Sequence, residues 1–231
     1  MRFLLFIIIS FSLFYSCKEI KPTVEVPSKS YPEILSEIST RQSELSEKYS
    51  TGDASKKKQV ILEARTFLLN QLTQEIFPSW YGTNWDFNGV TTIPKEGNIA
   101  CGYFVTTTLE DAGFKTPRVK WAQAASEQMI LSATSDVKRF SGKKMEEVAK
   151  WLFEQDDALY IVGLDNHTGF VLKQGASLKF IHSSPVNHNH GVASESATGH
   201  NPLSVSGYRV FGKLLNDQMI VRWLTGYQWK M

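Results

Sequence analysis

Between Ala158 and Ser183 the chain carries three short apolar runs in quick succession: Ala158–Leu164, His167–Lys173 and Ser177–Ser183. Runs this short, bounded by turn residues and rich in Val, Ile, Phe and Leu, suit strands better than helices. The second and third are joined through Gln174 and Gly175, so they read as a tight hairpin within a central antiparallel sheet. A hairpin centred between those two residues sets His167 opposite His182, Gly169 opposite Phe180 and Val171 opposite Leu178. Opposed side chains on one sheet face lie within roughly 5 Å, close enough for one imidazole to hydrogen-bond the next. A one-residue slip would undo all three matches at once.

The chain before this sheet has a helical period. Tyr31–Tyr49 and Val60–Phe77 carry apolar residues at helical spacing, the second ending before Pro78, and together they suggest a helical hairpin over residues 31–77. Ser79–Gly89 is aromatic and punctuated by glycine. Its Trp80, Tyr81 and Trp85 suit the border of a groove, and Trp80, Trp85 and Phe87 equally suit sealing the edge of a core. Further helices are expected at Trp121–Leu131 and Lys143–Gln155, with Asp136–Gly142 as their connection. Ser183–Ser206 reads as a long polar loop able to act as a lid. Tyr208–Leu214 and Met219–Leu224 are expected to close the sheet, which gives an α+β fold with helices added at the N-terminus.

With 231 residues, 42% of them hydrophobic, the chain can bury one sizeable core. One domain over residues 31–231 follows. A formal net charge of +2 with both signs interspersed offers no stripe for a phosphate backbone, so nucleic acid is not an expected partner. Residues 1–16 are different: Arg2, then an apolar run broken by Ser10 and Ser12, then Ser16. That is the layout of an export signal, and the small residue before Cys17 resembles the signal of bacterial lipoproteins. Cys17 is then the acylated residue and residues 17–30, with Pro22 and Pro27, the tether. A lipid-anchored protein of the cell envelope is expected, on the outer membrane or the periplasmic face.

This assignment gives the second cysteine its meaning, because the chain has only two. Acylation of Cys17 leaves Cys101 without a disulfide partner. Cys101, Phe104, Val105, Thr108, Leu109 and Ala112 fall on one helical face stopped by Gly113, so Cys101 opens a helix. Backbone N–H groups and the positive end of the helix dipole there favour a thiolate, the nucleophilic form. A nucleophile, a base and an orienting residue are the components of covalent catalysis. Cys101, His167 and His182 supply them in that order, with no cofactor required. Two other readings stay open: a non-catalytic lipoprotein that binds wall fragments or a partner through its aromatic loop, and a zinc site built on His188, His190 and His200. No carboxylate or Cys falls at a usual ligand spacing from those three, so no metal is expected.

Read in order, Tyr81-Gly82, Ala100-Cys101-Gly102-Tyr103-Phe104-Val105, His167-Thr168-Gly169-Phe170-Val171 and Phe180-Ile181-His182-Ser183-Ser184 resemble the motifs of NlpC-type papain-like cysteine peptidases. The resemblance covers about Trp80 to Ser184. It implies a nucleophile helix packed on a central antiparallel sheet, a Cys101–His167–His182 triad, Tyr81 near the nucleophile as a substrate or oxyanion contact, and hydrolysis of peptidoglycan stem or cross-link peptides. Ala100 stands where that family usually has Asp, and Gly102-Tyr103 where it has Ser-Gly. The Asp is associated with gripping the free amine of a stem peptide.

Overall fold

The computed structural model describes residues 27–187 and 190–231. The expected leader at residues 1–16, the acylation site Cys17, tether residues 17–26 and His188 lie outside the described residues. Six strands form one antiparallel sheet: β1 (Val137–Ser141), β2 (Ala158–Leu164), β3 (Thr168–Gln174), β4 (Ser177–Ser183), β5 (Val192–Ser196) and β6 (Tyr208–Lys213). Their order across the sheet is β1-β6-β2-β3-β4-β5. Every residue of β2 is buried, which explains why its sequence is apolar throughout and does not alternate.

Alternation sorts the sheet into two faces. Leu159, Ile161, Phe170, Leu172, Ile181 and Val210 face a large helical layer. It contains α1 (Tyr31–Thr51), α2 (Ala54–Asn70), α3 (Phe77–Trp80), α4 (Cys101–Asp111), α5 (Arg118–Gln123) and α6 (Ser126–Ala133). Tyr160, Val162, Val171, Phe180 and Phe211 face a smaller core on the other side, closed by α7 (Met145–Phe153) and by Leu203 of the short α8 (Pro202–Val205). A last helix, α9 (Asp217–Leu224), returns to the large layer.

The hairpin register differs from the expected one. Val171 pairs with Phe180 and Gln174 with Ser177, so the turn is Gly175-Ala176 and the strands are offset by two residues. Gly175 takes φ +54° at the first central position, where a type II′ turn demands glycine. An offset of two keeps every side chain on its face, whereas an offset of one would have reversed them all.

Five other elements depart from expectation. The single helix expected at Trp121–Leu131 is two, α5 and α6, parted at Ala124 and Ala125, whose backbone leaves the helical region and breaks the helical hydrogen bonding. Met219–Leu224 is helical, capped by Asn216, whose side chain accepts from the Met219 N–H. Val137–Ser141 is a strand on the edge of the sheet, paired to β6. The expected loop Ser183–Ser206 holds β5 and α8 and so contributes to the sheet itself. The second helix runs on past Pro78: a π-helical segment, Gln71–Ile76, widens the turn, with the Phe77 N–H bonding Leu72 O, and the chain stays helical to Trp80.

Candidate active site

Cys101 is the first residue of α4, and Ala100 before it offers no capping side chain. The N–H groups of that turn are therefore open to other acceptors. The backbone N–H groups of Thr168, at the start of β3, and of Gly102 and Cys101 favour the ionised form of the Cys101 sulfur. Cys101 and His167 line the same cleft. Gly102 is required for the packing of α4 on α5, because a Cβ there would lie 2.5 Å from the Ala122 carbonyl oxygen of α5. Burial pushes the Cys101 thiol above its ordinary range, outweighing the N–H groups that pull it down. The expectation of a resting thiolate is corrected: in the resting site the sulfur keeps its proton.

The two histidines meet. His167 Nε2 lies 2.9 Å from His182 Nδ1, with the rings at 88° to each other. The sequence offered only these two, but the line continues: His182 Nε2 lies 3.0 Å from Glu195 Oε2 on β5. Phe180, two residues from His182, stacks on its ring at 4.1 Å and pairs directly with Glu195 across the β4–β5 ladder. Gly169 makes the room, since a Cβ there would approach the His182 Cβ to 2.8 Å.

The acceptor at the end of this line fixes the protons along it. A carboxylate only accepts, so His182 donates from Nε2 and accepts at Nδ1. His167 then donates from Nε2, which leaves its Nδ1 as a free lone pair. Burial, with a smaller contribution from His182, drives the His167 pKa down to about 3, so the neutral base is the resting form.

Cys101 and His167 sit where two arms of a cleft join. One arm, about 640 Å³, runs past Trp85, Phe87, Val90 and Tyr103 to Pro185 and Val186. The other, about 490 Å³, passes Trp121, Ser126, Glu127, Asp165 and Tyr208. Trp85 is therefore a cleft residue. Trp80 is not: it is wholly buried and its indole N–H donates to the Tyr31 hydroxyl at 2.8 Å, so it seals the core. Tyr81 is half-buried against that core, and neither residue is among the described residues lining the cleft. Among the described residues no three His, Cys, Asp or Glu side chains come together to hold a metal, and no helix is long and apolar enough to cross a membrane. Comparison of the chain with protein-family models, with curated proteins and with solved structures finds no match.

Proposed function

We propose that the protein is a papain-like, NlpC-like cysteine amidase that hydrolyses peptide bonds, with peptidoglycan stem or cross-link peptides as its substrate class. The observation that carries the reading is the proton-ordered line from His167 through His182 to Glu195, which leaves His167 Nδ1 unprotonated in a residue that lines the same cleft as the helix-head Cys101. Since both groups rest neutral, the thiol proton passes to His167 Nδ1 as the sulfur bonds the scissile carbonyl carbon. The uncapped N–H groups at the head of α4 would stabilise the developing oxyanion. The C–N bond then breaks, the leaving amine takes the proton from His167, and a thioester to Cys101 remains. Water attacks the thioester, giving one proton to His167; the acid departs and the proton returns to the sulfur.

His182 holds the His167 ring through its Nδ1, and Glu195 holds His182 in the tautomer this requires. The test is hydrolysis of purified muropeptides by the wild type and by Cys101→Ala. Turnover by the wild type and none by the variant is expected; equal turnover by both would end the proposal. A lipid anchor at Cys17 belongs to the same reading, and Cys17→Ala should release the protein from the membrane fraction or leave it unprocessed.

A further inference from the structure

The wider arm of the cleft carries information about what enters it. Among the described residues that line it, Cys101 and His167 are the only Cys, His, Asp, Glu, Lys or Arg. Its walls are uncharged: Trp85, Phe87, Val90, Tyr103, Pro185 and Val186 supply apolar surface, and Asn88, Gln123, Asn166 and Ser184 neutral polar groups. Three of the apolar residues are held in water at its mouth, with Phe87 79%, Val186 71% and Val90 50% exposed. A single exposed hydrophobe is ordinary, but three converging on one cleft beside a nucleophile mark a binding surface. Arg118, whose guanidinium lies 4.9 Å from the Tyr103 ring centroid, is not among the described residues lining this arm and has its Nε and Nη2 donors engaged by Thr107 Oγ1 and by the Val90 and Thr91 carbonyls.

The other arm differs in kind. It contains Glu127 and Asp165, both already satisfied, Glu127 by Arg139 and Tyr208 and Asp165 by Ser206 and the N–H groups of Gly207 and Tyr208. A charged substrate group in the wide arm would leave water with no counter-charge to meet it, whereas an apolar group would cover surface now exposed.

We propose that the wide arm is a specificity subsite for an uncharged, apolar group flanking the scissile bond, either a hydrophobic amino-acid side chain or an acyl chain. The proposal rests on the amidase reading and narrows it, and Ala100 at the start of this arm agrees with a site that does not grip a free amine.

The experiment is site-resolved alkylation of Cys101 in the full chain by iodoacetamides that differ only in their N-substituent: benzyl, dodecyl and carboxymethyl. In this reaction the sulfur bonds the methylene carbon, iodide leaves, and the thiol proton passes to His167 or solvent. Each rate is divided by that of the same reagent on the urea-unfolded chain, which removes intrinsic reactivity. Benzyl or dodecyl should then exceed carboxymethyl by about tenfold or more. Faster benzyl identifies an aromatic side chain as the occupant, and faster dodecyl an acyl chain; both support the subsite. Val186→Asp, a change at an exposed rim position, should abolish most of the preference. Equal normalised rates for all three reagents, or an undiminished preference in Val186→Asp, would overturn the assignment. Failure of the underlying catalytic reading has a separate signature: His167→Ala would then leave the rate with plain iodoacetamide unchanged, while the dependence on the N-substituent stayed readable.

Discussion

Two buried polar lines run through this molecule, and they are built alike. In one, His167, His182 and Glu195 join three neighbouring segments at one end of the sheet. In the other, the Trp80 N–H donates to the Tyr31 hydroxyl, which donates to Asp111, joining α3, α1 and α4. Burial shifts both: His167 falls to about 3, Asp111 rises to about 7, and Tyr31 is pushed well above its usual range. A perturbed pKa therefore does not separate the working site from the scaffold here. What separates them is what each line ends on. The first ends on a residue that lines the cleft with Cys101, and the second pins an N-terminal helix to α4.

The contrast can be broken most sharply at its ends. Cys101→Ala and His167→Ala should each lower kcat by about 10³-fold or more, and the double variant should be no worse than either, because the pair works as a unit. Tyr31→Phe should leave kcat per folded molecule unchanged, so a comparable loss there would erase the distinction. Next in size is Glu195→Gln, expected to lower kcat about 10- to 100-fold with little change in KM, since an amide that donates to His182 selects the wrong tautomer. A wild-type rate in that variant would remove Glu195 from the site. On the scaffold side, Tyr31→Phe deprives Asp111 of its donor and Trp80 of its acceptor, and should cost about 1–3 kcal/mol by urea unfolding.

The smallest effect concerns pH. His167 has a folded pKa below its unfolded value, so the unfolded chain binds more protons and this group's contribution to stability rises as pH increases from about 3 to 6.5. Asp111 is the reverse. Its folded pKa is raised, so the native state binds more protons between about 4 and 7, and its contribution falls as pH increases through that window. The two slopes oppose each other. Urea midpoints measured from pH 4 to 7 should climb more steeply in Asp111→Asn than in the wild type, and less steeply in His167→Ala. Identical slopes in all three would contradict both assignments.

Much of this was legible before any coordinates. The bounds of β2 and β4 follow from apolar runs of strand length, and the start of α4 from the period that begins at Cys101. The histidine pair was legible even though its register was not, because a two-residue offset leaves the pleat's alternation intact. Glu195 was hidden. It lies beyond a connection too long to fix a register, in a stretch whose Ser and Gly content reads as loop. The closest available signal was the short alternation from Val192 to Ser196, with Ala193 and Glu195 on one side. β1 was obscured by Lys138 and Arg139, charges of the sort that edge strands carry. The last helix was obscured because an apolar run of that length fits either period, and Asn216 ahead of it was the deciding cap. Trp80 was misplaced for a related reason: Pro78 signals an end that the widened π turn absorbs.

The protonated state of Cys101 bears on how long its sulfur would last under the proposed chemistry. Peroxides oxidise thiolates far faster than thiols, and each step beyond sulfenic acid is hard to reverse. A sulfur buried at the helix head and kept protonated by that burial is exposed to this damage only while a substrate draws its proton away. In an oxidising envelope, with its one fellow cysteine committed to a lipid under the proposal above, Cys101 would owe its durability to the same desolvation that makes its chemistry wait for a substrate.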